Sequence, residues 1–145
     1  AQAGAKGRQL HKFGGSSLAD VKCYLRVAGI MAEYSQPDDM MVVSAAGSTT
    51  NQLISWLKLS QTDRLSAHQV QQALRRYQSE LISGLLPPEV ADGLIGAFIH
   101  DLERLAGLLD SGVNDAVYAE VVGHGEVWSA RLMSAVLNQQ GLESA

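Results

Sequence analysis

The stretch His11-Lys12-Phe13-Gly14-Gly15-Ser16-Ser17 ends a short mixed segment at two consecutive glycines and then passes into an apolar pattern of a different period. Residues Arg8 to Phe13 read as a strand that runs into a tight turn. Beyond the turn, Leu18, Val21, Leu25 and Ala28 recur at spacings of three and four, which is one face of a helix. Ser17 and Asp20 form a capping-box-like pair, with Ser17 expected to accept from the amide three residues on. Backbone amides can approach a phosphate closely at a double glycine, a following helix points its free amides and positive dipole end at the same place, and Lys12 adds a full charge. These residues therefore suit an anion cradle. They suit a purely structural turn with an exposed lysine about equally well. Neither the Walker loop nor the Gly-x-Gly-x-x-Gly dinucleotide fingerprint is present, and the second absence argues against a dinucleotide-binding oxidoreductase.

Working downstream, the helix is expected to fade near Tyr34-Ser35, because Pro37 disfavours helical geometry in the residue before it and Asp38-Asp39 read as turn. Met40 to Val43 is a continuous apolar run, the pattern of a strand covered on both faces in a parallel sheet. Strand, helix and strand then make one crossover unit, and both post-strand loops fall on one sheet edge, where open α/β sheets bind ligands. The second of those loops, Ser44-Ala45-Ala46-Gly47-Ser48-Thr49-Thr50-Asn51, is dense in small hydroxyl side chains that could hydrogen-bond substrate oxygens without bulk. Taken alone, it reads first as helix capping by Thr49 or Thr50 ahead of Asn51.

From Thr50 the pattern is helical. Leu53, Ile54 and Leu57 mark a short helix, and Ser66 with Gln69 suggests a capping box before Val70, Leu74, Tyr77 and Leu81. Pro87-Pro88-Glu89 opens another helix with the stripe Val90, Leu94, Phe98, Leu102, Leu105 and Leu109. The two are expected to form an antiparallel hairpin over about residues 66–109, joined around Gly84 and closed by Asp110-Ser111-Gly112. A last helix is expected from about Asn114 to Gln140, capped by Gly141 and kinked or broken at Gly123 and Gly125. Two strands, with room for a third to start after Gly141, make a small sheet for so much helix, so the chain reads as cut from a larger fold.

Within that last helix, Gly123-His124-Gly125-Glu126-Val127-Trp128-Ser129 places two glycines around one carboxylate. Glycine inside a helix costs about 1 kcal/mol relative to alanine, so the pair suggests a close approach of backbone or ligand. Glu126 could pair with a substrate ammonium or be an ordinary solvated carboxylate. His124 reads as a capping or surface residue rather than a metal ligand, since no second His or Cys lies at ligand spacing.

Composition narrows the class. The 145 residues allow one domain with a single core, 46% hydrophobic and 18% charged. A formal charge of -4 without any basic cluster makes nucleic acid a poor partner. Cys23 stands alone, so no internal disulfide can form and no zinc cluster is expected, which fits a reducing, cytoplasmic setting. No apolar run suggests a membrane span or signal segment.

The three candidate stretches together resemble the aspartokinases of the amino acid kinase superfamily, in order and in spacing. The opening family motif Lys-Phe-Gly-Gly-Ser/Thr-Ser is complete at Lys12 to Ser17. The second, Ser-Ala with four variable positions before Thr-Asn, is met by Ser44-Ala45 and Thr50-Asn51. The third, Gly-Glu-x-x-Ser-x-x-Leu/Met with a later Leu and Gly, is met by Gly125, Glu126, Ser129, Leu132, Leu137 and Gly141. The wording is most similar to the kinase part of bifunctional aspartokinase/homoserine dehydrogenase enzymes.

The resemblance implies a three-layer α/β/α fold of the amino acid kinase type, here truncated to a small parallel sheet with a helix-rich subdomain. It implies ATP-dependent phosphorylation of the side-chain carboxylate of L-aspartate, the first step towards lysine, methionine and threonine. By motif, Lys12 would hold the transferring phosphate as the catalytic residue, and Gly14, Gly15 and Ser16 would bind its oxygens. Ser44 and Thr50 would seat the aspartate, and Glu126 would take its ammonium. Magnesium would arrive with ATP, NADP would enter only with a dehydrogenase domain, and a homo-oligomer is expected. Residues 1–145 would be the amino-terminal part of the catalytic domain, without the nucleotide-binding half, and inactive by itself. The alternatives are a non-catalytic oligomerisation or interaction fragment, or another amino acid kinase acting on glutamate, carbamate or a nucleotide monophosphate.

Overall fold

The computed structural model describes residues 10–34 and 40–144. Strand β1 is Leu10–Phe13 and strand β2 is Met40–Val43, paired parallel with Leu10 opposite Met40 and Phe13 opposite Val43. Both strands therefore end at the same sheet edge, as the crossover pattern requires. Of the expected first strand, Arg8 and Gln9 lie outside the described residues, as do Pro37 and Asp38-Asp39.

Between the strands, Gly15–Leu18 forms a 3-10 turn and helix α1 runs Val21–Tyr34. The expected cap is displaced. Asp20, not Ser17, caps α1, its Oδ1 accepting from the Cys23 amide at 2.9 Å. Ser17 cannot do so because it is itself inside the 3-10 turn, with its amide given to the Gly14 carbonyl at 3.0 Å. Of the expected stripe, Leu18 and Ala28 are buried and Val21 is half-buried, but Leu25 is 44% exposed; the buried face of α1 is Tyr24, Val27, Ala28 and Met31.

Four further helices follow: α2 (Thr49–Thr62), α3 (Arg64–Leu85), α4 (Pro88–Ser111) and α5 (Asp115–Ser144). Asp63 caps α3 and accepts from both the amide and the hydroxyl of Ser66, at 3.2 and 2.7 Å, so Ser66 is a partner of the cap and not the cap itself. Helices α3 and α4 pack on each other and are joined at Leu86-Pro87, two residues beyond Gly84, which lies inside α3. Gly112 ends α4 at φ 118°, a conformation that favours glycine.

Helix α5 departs most from expectation. It is continuous from Asp115 through Gly123 and Gly125, and it includes Gly141, so neither a break nor a glycine C-cap nor a third strand occurs there. Its capping is legible locally, since Asn114 Oδ1 accepts from the Val117 amide at 2.8 Å. Tertiary packing keeps it intact against the glycine penalty: Val121, Trp128, Leu132, Met133 and Val136 are buried, each contributing on the order of 1.5–3 kcal/mol.

One core links α1 to all the later helices, with Leu53, Trp56 and Leu57 from α2, Leu74 and Leu81 from α3, and Phe98, Leu102, Leu105 and Leu109 from α4. Phe98 and Trp128 meet edge to face at 4.7 Å between ring centroids. Among the described residues no helix is long and apolar enough to cross a membrane.

Candidate functional site

Where β1 and β2 end, their two loops are stitched together by one residue. Ser44 donates twice to the Phe13 carbonyl, from its amide and from its Oγ, each at 3.0 Å. Phe13 lies between Lys12 and Gly14, so the first residue after β2 is fixed against the end of the strand that carries the lysine. The Ser44 hydroxyl hydrogen is committed to that bond. Its lone pairs remain open, so it faces any ligand as an acceptor.

After Ser44 the chain buries Ala45 and Ala46 and turns at Gly47, whose φ of +49° lies in the left-handed region. Thr49 opens α2 and is fully buried, its Oγ1 accepting from Gln78 Nε2 at 2.9 Å. The side chain of Thr50, by contrast, is exposed. Capping therefore does not explain the hydroxyls, since Ser48 stands at the N-cap without a side-chain cap bond and Thr49 is engaged by α3.

Helix α5 approaches this loop from the other side. A β-carbon on Gly125 would stand 2.8 Å from that of Ala45, and 3.3–3.4 Å from Leu53 and Thr49, so the glycine permits the contact. Exposed Glu126 is the residue immediately after this contact. Ser129, one turn on, is buried and hydrogen-bonds the Tyr24 hydroxyl at 2.6 Å, tying α5 to α1. Burial pushes the Tyr24 phenol up to about 12, opposed by the Ser129 hydrogen bond and aided by Tyr77.

His124 is neither a cap nor a surface residue. It is buried between α4 and α5, with Nδ1 against the Glu120 carbonyl and Nε2 against the Arg104 guanidinium, both at 2.7 Å. Arginine can only donate, which assigns the ring proton to Nδ1. Asp101 continues the seam, accepting from Trp128 Nε1 at 3.1 Å and from Arg131 at 3.2 Å. These polar links between α4 and α5 fix the position along its axis at which α5 presents Gly125 and Glu126.

Lys12, Gly14, Ser44, Thr50 and Glu126 thus sit on three segments that converge on Ser44-Ala45. Gly15 and Ser16 begin the 3-10 turn after β1, and the side chain of Ser16 lies outside the described residues. Lys12 and Glu126 are both exposed, and among the described residues no hydrogen bond or ion pair joins Lys12, Thr50 and Glu126 to one another. Nor do the described residues contain a group of three His, Cys, Asp or Glu side chains able to hold a metal ion. The backbone hydrogen bond from Cys23 holds the exposed Asp20 carboxyl below its ordinary range, just beyond the 3-10 turn.

Tyr24, Tyr77 and Gln78 are the residues that sequence reasoning left out of the site. Gln78 had a signal: it is a polar residue on the buried stripe between Leu74 and Leu81, at helical spacing, where polar groups are retained only with a partner.

Residues 7–145 match the family model described as the amino acid kinase family. The chain is 90% identical over 145 residues to bifunctional aspartokinase/homoserine dehydrogenase 2 of Escherichia coli K12, covering 100% of this chain and 18% of that protein. In structure it is similar to aspartokinase III of E. coli in complex with lysine and aspartate, with a TM-score of 0.79 at 23% identity over 92% of this chain and 29% of that one. The same enzyme in complex with aspartate and ADP matches with a TM-score of 0.77 at 25% identity, over 92% of this chain and 29% of that one. This chain spans less than a third of each of these relatives.

Proposed function

Since the chain belongs to the amino acid kinase family, we propose that it supplies the amino-acid- and phosphate-binding part of an aspartokinase catalytic domain. In the complete protein, a side-chain carboxylate oxygen of L-aspartate attacks the γ-phosphorus of ATP, the bond to ADP breaks, and 4-phospho-L-aspartate forms. The observation that carries this reading is the convergence of three segments on Ser44-Ala45, through the Ser44 bonds to Phe13 and the close approach of Gly125 to Ala45. Near-identity to a bifunctional aspartokinase/homoserine dehydrogenase supports the choice of aspartate as acceptor over glutamate or carbamate.

Catalysis of phosphoryl transfer is mostly positioning and charge stabilisation, because the transition state spreads negative charge over the phosphoryl oxygens. Lys12, exposed at the end of β1, supplies a mobile positive charge to those oxygens. The backbone of Gly14, Gly15 and Ser16 supplies neutral donors in the turn that follows. Ser44, limited to accepting, suits the substrate ammonium, and exposed Thr50 offers a hydroxyl to the carboxylates. Glu126 pairs with the ammonium and fixes which end of aspartate faces the phosphate. Magnesium enters with the nucleotide and neutralises its phosphates. The same reading places the enzyme in the cytoplasm as a homo-oligomer with the three-layer fold of its relatives, the rest of the sheet being contributed by segments beyond those described.

The test is an assay of ADP release and hydroxamate-trapped aspartyl phosphate on the full-length protein carrying this chain. L-Aspartate should be the preferred acceptor over L-glutamate, and Lys12→Ala should lower turnover by about 10²-fold or more, the scale of losing a preorganised charge donor. Equal use of glutamate, or wild-type turnover in the lysine variant, would remove the proposal.

A further inference from the structure

Helix α3 contributes nothing to the sheet and carries none of the three motifs, yet two adjacent residues on it reach both strand-end loops. The Tyr77 hydroxyl donates to the Ala19 carbonyl at 2.5 Å, just past the 3-10 turn that follows Lys12. The same hydroxyl lies 2.8 Å from where a β-carbon on Gly47 would stand, so the tyrosine is wedged between the loop after β1 and the loop after β2. One residue on, Gln78 Nε2 donates to Thr49 Oγ1 at 2.9 Å. Gln78 and Thr49 are 3% and 0% exposed, so neither group can exchange its partner for bulk water without a local opening.

We propose that Tyr77 and Gln78 are positioning residues for the aspartate site, clamping the Ser44–Thr50 loop against the Lys12–Asp20 turn. The inference rests on the aspartokinase reading above and deepens it. Neither side chain need touch substrate. Tyr77 acts on Gly47, three residues beyond Ser44, and Gln78 acts on Thr49, the neighbour of Thr50, so both contacts fall between the two hydroxyls that seat the amino acid. A slip of this loop by a fraction of an ångström would misplace both hydroxyls relative to Lys12, and misplacement on that scale is costly in catalysis. Gly47 belongs to the same device. Its φ of +49° and its lack of a side chain let the tyrosine hydroxyl close onto the backbone. Burial, with Asp20 and Cys23 nearby, raises the Tyr77 phenol above its ordinary value, so the hydroxyl stays protonated as the donor that the clamp needs.

The clamp makes a selective prediction, because its contacts fall mainly on the aspartate loop and reach the phosphate-binding turn only at Ala19, beyond Ser16. In the full-length enzyme, Tyr77→Phe and Gln78→Met keep shape while deleting the hydrogen bonds. Each should raise KM for L-aspartate about tenfold, the scale of one lost hydrogen bond, while KM for ATP stays within about twofold. Leu105→Val, in the core and away from both loops, serves as the comparison. It should lower thermal stability at least as much without moving KM for aspartate. An active wild type whose Tyr77→Phe and Gln78→Met variants keep an unchanged KM for aspartate overturns the clamp alone. Equal rises in both KM values also overturn it, since they indicate general loosening. A wild-type enzyme that forms no aspartyl phosphate overturns the aspartokinase reading and the clamp with it.

Discussion

Gly125 and Ala45 approach so closely that a β-carbon on the glycine would stand 2.8 Å from the alanine methyl, and this contact seats α5 against the loop after β2. Gly125→Ala should therefore destabilise the protein by about 1–3 kcal/mol, because overpacking between two elements outweighs the gain in helix propensity. Gly123 gives the internal contrast, with nothing within 4 Å of an added β-carbon. Gly123→Ala should stabilise by about 0.5–1 kcal/mol. Urea unfolding followed by the fluorescence of the buried Trp56 and Trp128 measures both, and a shift of the same sign for the two variants would refute the assignment.

The burial of Tyr24 gives a pH signature. The Tyr24 phenol is raised from 10.0 to about 12 in the folded protein, chiefly by burial. A raised acid favours its protonated form when folded, so its contribution is complete below pH 10 and is lost as pH rises through about 12. Stability should fall by roughly 2–3 kcal/mol across that window, and Tyr24→Phe should remove this part of the fall while costing about 1 kcal/mol at neutral pH.

At the other end of the scale, Asp63 caps α3 from a fully exposed position. The side-chain hydrogen bond from Ser66 holds its carboxyl below the ordinary value of 3.8, and the Ser66 amide adds to this. A depressed carboxylate stabilises above its unfolded value and loses that contribution as pH falls through the folded one. Asp63→Ala should lower the melting temperature by a few degrees at neutral pH and have little effect once the carboxyl is protonated in acid. Asp63→Ser should restore much of the loss as an alternative cap.

Glu126 is exposed beside a buried glycine contact, so its removal should cost function and not fold. In the full-length enzyme Glu126→Gln should raise KM for L-aspartate about 10- to 100-fold, the scale of a charged hydrogen bond, with an unchanged melting temperature. Steady-state kinetics with aspartate varied at saturating ATP would show this.

Much of the fold was written in local sequence. The glycine pair after Phe13, the apolar run Met40–Val43, the stripes of α3 and α4 and the proline entry to α4 were all legible, since strand and helix periods and proline geometry are properties of a few adjacent residues. Capping was harder. Ser17 and Ser66 match the capping pattern as well as Asp20 and Asp63 do, and only the path of the backbone separates a cap from its neighbour.

The sequence by itself determined that the lysine-bearing strand end and a hydroxyl-rich loop would share one parallel sheet edge, because the crossover rule follows from residues close together in the chain. Tertiary structure alone decided that α5 stays whole through its glycines, that His124 is buried against Arg104, and that Tyr77 and Gln78 reach across from α3. Those outcomes depend on which faces meet. Contact between residues 20 to 58 positions apart is set by packing of the whole core, and no local period encodes it.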